Sequence, residues 1–216
     1  MYGSKKIITP LIVNGIGDIE KSIRVLEKAM EVLIKAGVMI NDPILFSPVD
    51  FQHKNIKHYK INFLNYAGYN NFIIGLGKIW KDDSYALICQ HDGFPLNPER
   101  WNNIFFDYDY IGSPWGTDRP YHKRVGNGGF CLRSPRCLKI ISEVVKCDGS
   151  PEDTRICDTY GEVLRNNFNI KFAPVEVAMH FSYDTDIVPE RDFGIESTFG
   201  FHGSGNVKKV KEIYGL

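Results

Sequence analysis

Residues 90–93 read Gln90-His91-Asp92-Gly93 and follow an apolar run, Leu87-Ile88-Cys89. An acid directly after such a run is positioned rather than scattered over a surface. In open α/β sheets, ligands collect beyond the carboxyl ends of the strands. A carboxylate there can hold a divalent cation, and the cation can neutralise a diphosphate. Gly93 lets the main chain approach a ligand closely. The same four residues also make an ordinary polar turn, because Asp and Gly are common turn residues.

Three other stretches carry chemistry-bearing residues. Gly126, Asn127, Gly128 and Gly129 place three glycines in four positions, which strips side chains from a surface and would let a sugar or diphosphate lie against the main chain. The run lacks the Gly-Lys-Ser/Thr ending of a P-loop and also reads as a tight turn into the next strand. Arg133 follows it and suits either a phosphate or a surface ion pair. Glu152-Asp153 stands before a helical pattern. Acids there cap a helix whatever the function, and a carboxylate can also take a proton from an attacking hydroxyl. His202 lies between aromatics and glycines in Phe199-Gly200-Phe201-His202-Gly203, as a loop cap or a ligand. Trp115, in Ser113-Pro114-Trp115-Gly116, offers a flat face for a sugar ring, whereas Trp101 and Tyr108 fit a core. His180 reads as structural.

The elements that must position these residues are legible in part. Ile7 to Val13 is a strand-length apolar run, and Pro10 in it suggests an edge or an irregularity. Asn14-Gly15-Ile16-Gly17-Asp18 makes a turn with Asp18 as the expected N-cap. Ile19, Ile23, Leu26, Met30, Leu33 and Ile34 recur at helical spacing, and Gly37 stops that helix. Ile44-Leu45-Phe46 is a second strand. This βαβ order implies a parallel pair. The Gly15-x-Gly17 pair is a tight turn, because the third position of a dinucleotide fingerprint is Glu20. Residues 52–65 read as polar. Helices are expected over 70–80, 135–145 and 154–164, and strands over 85–89, 108–111, 130–132 and 171–173. The tail from Phe181 reads as rich in loops.

The chain has 216 residues, 43% of them hydrophobic, and 26 basic against 26 acidic residues. That suits one α/β domain and argues against a protein that coats nucleic acid. Five cysteines without a C-x-x-C pair fit small core residues in a reduced, cytoplasmic setting. No signal peptide is expected at Met1 to Lys6, and no transmembrane segment is expected. The Lys208-Lys209-Val210-Lys211 cluster reads as a solvated helix face.

Taken together, QHDGFPLNPERW (90–101), FDYDYIGSPW (106–115) and VGNGGFCLRS (125–134) resemble the DUF5672 family of probable glycosyltransferases. PEDTRIC (151–157), APVEVAMHFS (173–182) and FGFHG (199–203) add a weaker downstream match. The resemblance implies a single-domain glycosyltransferase A-type (GT-A-like) fold, a Rossmann-like mixed, mostly parallel sheet flanked by helices. Residues 1–90 would form the nucleotide-sugar half and residues 91–216 the acceptor and catalytic half. Such enzymes carry Asp-x-Asp at the end of the central strand. Here an amide, Gln90, replaces the first acid and leaves Asp92 as the last. The implied donor-binding residues are Thr9, Val13, Asn14, Gln90, His91, Asp92, Gly93 and Arg133. Trp115, Gly126, Asn127, Gly128 and Gly129 would line the sugar and acceptor. Asp153 would be the base, with Glu152 orienting the acceptor. Asp92 and His202 would hold Mn²⁺ or Mg²⁺.

The implied reaction is an inverting transfer of a sugar from a nucleotide-sugar donor to a hydroxyl acceptor. A glycan, a lipid-linked sugar, a protein or a modified nucleobase all fit as acceptor. The rivals are a non-catalytic nucleotide-sugar or glycan-binding module on the same fold and a metal-dependent phosphoester hydrolase. The hydrolase would need more clustered acids than Asp82, Asp83, Asp107 and Asp109 offer.

Overall fold

The computed structural model describes residues 6–184 and 188–214, so the reading of Met1 to Lys5 lies outside the described residues. The chain opens as β1 (Ile7–Val13), α1 (Glu20–Lys35), β2 (Met39–Ile40) and β3 (Ile44–Ser47). β1 and β3 run parallel, as the strand–helix–strand order requires. Then follow β4 (Lys57–Lys60), α2 (Tyr66–Gly75), β5 (Tyr85–Ile88), β6 (Gly93–Pro95), β7 (Tyr110–Gly112) and β8 (Cys131–Arg133). The rest is α3 (Pro135–Val144), α4 (Gly161–Phe168), α5 (Val175–Phe181), β9 (Ser182–Tyr183), β10 (Gly200–His202) and α6 (Ser204–Tyr214).

The main sheet has the order β4-β3-β1-β5-β8-β7, with β2 beside β1. β4, β3, β1 and β5 are parallel, and β8 runs antiparallel to both β5 and β7. Both faces are covered. Leu87 and Cys89 point into a core with Leu26 and Leu33 of α1, while Ala86 and Ile88 point into one with Ile73 of α2 and Leu138 of α3. That two-residue alternation within an unbroken apolar run marks a strand buried on both sides. No helix among the described residues is long and apolar enough to cross a membrane.

A second, three-stranded sheet has the order β6-β10-β9. Phe94 of β6 and Phe201 of β10 meet edge to face at 4.8 Å. The antiparallel register sets His202 opposite Gly93. This small sheet joins residues more than a hundred positions apart, and it places one edge of the candidate site.

Several sequence expectations are corrected. Pro10 lies in a central strand, not at an edge. The Asn41 amide donates to the Ile8 carbonyl, and the Asn14 amide donates to the Phe46 carbonyl. Backbone groups alternate sides along a strand, so Pro10 turns its nitrogen to this same flank. It falls where pairing passes from β2 to β3, and a missing donor costs little there. Asp18 does not cap α1; the cap position is Ile19, without a side-chain bond. The polar stretch 52–65 contains the edge strand β4. α2 begins four residues earlier than its apolar pattern suggests, because the Asn65 side chain accepts from the Gly68 amide. The expected helix over 154–164 is a π-helical turn, Thr154–Thr159, followed by α4. The expected strand over 171–173 is one bridge, Tyr110 to Phe172. The tail, rich in loops, also holds β9, β10 and α6.

Candidate active site

β1 and β5 are neighbours in the sheet, so their carboxyl ends open at one place. A cleft of about 510 Å³ lies there, and Val13, Asn14, Asp18, Lys21, Tyr69, Gln90 and His91 are among its walls. Asn14 shapes its floor: its Oδ1 accepts from the amides of Ile16 and Gly17, and its Nδ2 donates to Ser22 Oγ. Gly17 has φ +92°, a left-handed conformation that favours glycine. Thr9 does not reach the cleft. It is fully buried inside the sheet, where its hydroxyl pairs with Ser84 and accepts from Asn41 Nδ2.

Residues 90–93 are a turn as well as a strand end. The Gln90 and Gly93 main chains exchange both hydrogen bonds, at 2.8 and 3.0 Å. Asp92 sits in that turn, and its carbonyl accepts from the Gly203 amide at 2.9 Å. Its Oδ1 is buried and has no hydrogen-bond partner among the described residues. Gln90 Nε2 donates to the Tyr69 hydroxyl at 2.6 Å. Burial pushes the Tyr69 phenol well above its usual range and keeps it protonated.

The glycine-rich loop is a surface against which three side chains pack. A Cβ on Gly126 would lie 2.0 Å from the Trp115 ring, one on Gly128 1.6 Å from Glu152 Oε1, and one on Gly129 2.0 Å from His202 Nε2. Only main chain fits at these positions. The Gly128 amide donates to Asp153 Oδ2 at 3.2 Å, and the Thr154 amide donates to Asp153 Oδ1 at 2.7 Å. Asp153 therefore caps its helical turn and faces the glycine loop at once.

Glu152 and Arg133 occupy a different place from the one expected of them. Arg133 is fully buried, lies over the Tyr110 ring at 4.9 Å, and donates to Glu152 Oε2 at 2.7 Å. The Glu152 amide donates to Asn70 Oδ1. Burial raises the Glu152 pKa above its ordinary value, and the Arg133 charge opposes that rise. The pair stands behind Gly128 as an anchor. Arg133 Nη2 pairs with Glu152, its Nε and Nη1 have no hydrogen-bond partner among the described residues, and the whole side chain is fully buried. Trp115 is also enclosed: it is 6% exposed, with Arg119 stacked over its ring at 4.0 Å, so it offers no free face to a sugar.

His202 closes the site. Its Nδ1 lies 3.0 Å from Asp184 Oδ2, and the same oxygen accepts from Asn127 Nδ2. Burial works against a charged imidazole. The Asp184 hydrogen bond and the charges of Asp184, Asp92 and Asp153 together outweigh it and raise the pKa above the histidine norm. Asp92, residues 127–129, Asp153 and His202 thus form one cluster. Asp184 and Tyr69 belong to it too and carry no signal in sequence. Asp184 looks like a loop acid until the pairing of β9 with β10 carries it to His202.

No group of three or more histidine, cysteine, aspartate or glutamate side chains is arranged to hold a metal among the described residues. Two donor atoms are on hand, Asp92 Oδ1 and His202 Nε2. Asp92 Oδ1, a buried carboxylate oxygen without a partner, is the kind of ligand a divalent cation takes, and a neutral His202 ring could add Nε2.

The family model described as "Protein of unknown function (DUF5672)" matches residues 51–202. Among solved structures, the chain is similar to a glycosyltransferase involved in glycosylation of the major capsid of the virus PBCV-1. That likeness has 12% identity and a TM-score of 0.51, and covers 95% of this chain and 97% of that one. A mutant of Drosophila β-1,4-galactosyltransferase 7, solved with manganese, UDP-Gal and xylobiose, is 18% identical, with a TM-score of 0.40 over 62% of this chain and 51% of that one. No curated protein matches the chain. The viral likeness shows a shared glycosyltransferase A-type fold.

Proposed function

We propose a function from one premise: the chain belongs to the DUF5672 family and has the glycosyltransferase A-type fold. On this reading it moves a sugar from a nucleotide-sugar donor to a hydroxyl acceptor. The observation that carries the proposal is the meeting of Asp92, Asp153 and His202, from three distant segments, around main-chain-only Gly128 and Gly129. The donor nucleotide lies in the cleft along Val13, Asn14, Gln90 and His91, with its sugar directed toward Asp153. Residues to about 90 form the donor half, and those beyond form the acceptor half.

Asp153 takes the proton of the acceptor hydroxyl as its oxygen bonds to the anomeric carbon. The carbon–oxygen bond to the diphosphate breaks on the opposite face, the diphosphate leaves with that electron pair, and the configuration inverts. Mn²⁺ or Mg²⁺, held by Asp92 and His202, would supply positive charge to the departing diphosphate. Glu152 and Arg133 keep the Asp153 segment in place. The test is incubation with a panel of nucleotide sugars, with and without Mn²⁺, reading nucleoside diphosphate release. Slow hydrolysis of one donor supports the reading. A non-catalytic module would bind a donor and leave it intact, and failure to bind any donor contradicts both.

A further inference from the structure

Two side chains from separate segments converge on one carboxylate oxygen. Asp184 Oδ2 accepts from Asn127 Nδ2 in the glycine loop and lies 3.0 Å from His202 Nδ1 in β10. Asp184 is 5% exposed. A carboxylate so placed fixes an imidazole in two ways: it selects the tautomer with hydrogen on Nδ1, and it sets the ring plane. The other ring nitrogen then keeps its lone pair. In this chain Nε2 is turned onto the Gly129 main chain, at the spot that Gln90 Oε1 also approaches.

We propose that Asp184 is the positioning residue of the site: it locks the His202 ring with hydrogen on Nδ1 and the Nε2 lone pair free, and it ties the glycine loop to β10 through Asn127. This rests on the reading of Asp92 and His202 as holders of a divalent cation. Asp184 touches neither donor nor acceptor. Its effect passes through His202, as an outer carboxylate supports a ligating histidine. The neighbouring groups favour the assignment. Gly93 opposes His202 in the strand register, and the Gly203 amide is bound by Asp92, so the main chain on both sides of the ring is already fixed. Rotation of the ring is the freedom left for Asp184 to remove.

The experiment uses the full chain, Mn²⁺ as probe, and the variants Asp184→Ala, Asp184→Asn and His202→Ala. Free Mn²⁺ is read by electron paramagnetic resonance, with and without a nucleoside diphosphate. The His202 ring nitrogens of the metal-free protein are read by ¹⁵N NMR in mildly alkaline buffer. Asp184→Ala is expected to weaken Mn²⁺ binding about 10- to 100-fold and to lose the fixed Nδ1–H tautomer. Asp184→Asn keeps a hydrogen-bond acceptor, so it should retain the tautomer and recover part of the affinity; it also serves if the alanine variant does not fold. Loss of Mn²⁺ in His202→Ala with wild-type binding and tautomer in the Asp184 variants overturns the proposal alone. A wild-type protein that takes up no Mn²⁺ overturns the metal reading and the proposal with it.

Discussion

Gly129 has no room for a side chain, and this makes the site testable one atom at a time. A methyl group there would sit 2.0 Å from His202 Nε2. Gly129→Ala should lower unfolding stability by about 1–3 kcal/mol, as overpacking does, and weaken Mn²⁺ uptake; urea titration and metal binding check the two effects. Glu152→Ala strands a fully buried guanidinium. It should cost about 3–5 kcal/mol, as removing one partner of a buried pair does, read as a drop in the denaturation midpoint. The His202–Asp184 pair predicts a pH dependence with a definite sign. The folded imidazole pKa is raised, so the pair's stabilisation is complete below the unfolded value of 6.5 and is lost as pH rises through the higher folded value. The stability gap between wild type and His202→Gln should therefore shrink in alkaline buffer, and a gap that widens contradicts the assignment. At this scale, Asp92 was legible because an acid after an apolar run is conspicuous. The pairing of Arg133 was not legible, because a sequence does not reveal that an arginine's partner is a buried glutamate nineteen positions away.

At the scale of elements, local rules read well and non-local pairings did not. β5 declared itself by an unbroken apolar run, and α1 by its spacing and the Gly37 stop, where φ is +72°. β6 was hidden because Gly93-Phe94-Pro95 looks like the end of a turn. It is a strand only because β10 pairs with it. The small β6-β10-β9 sheet therefore had no local signature, yet it brings both His202 and Asp184 to the site. α2 shows the reverse case, in which a cap outweighs a pattern. Asn65 starts the helix ahead of its apolar face, and it stands at the cleft. Asn65→Ala should cost about 1 kcal/mol, measurable by chemical denaturation, and should loosen the first turn of α2, which carries Tyr66 and Tyr69.

Over the whole molecule, the parallel strands of a mixed sheet supply a cleft at the ends of β1 and β5. The later half of the chain folds back to bring Asp153, the glycine loop and His202 together beside Gln90, which lines that cleft. The plan of the first fifty residues was readable from strand–helix–strand order alone, although the family match begins after them, at residue 51. Closure by the C-terminal sheet was not readable, since it depends on contacts between segments far apart in sequence. Sugar transfer at this convergence, with Asp153 as the base, is open to a direct test. The most direct measurement compares donor turnover and donor binding in wild type and Asp153→Asn, across a panel of nucleotide sugars. Asp153→Asn is expected to bind the same nucleotide sugar with similar affinity and to turn it over at least about 100-fold more slowly. Equal turnover in the two proteins would contradict a role for Asp153 as the base.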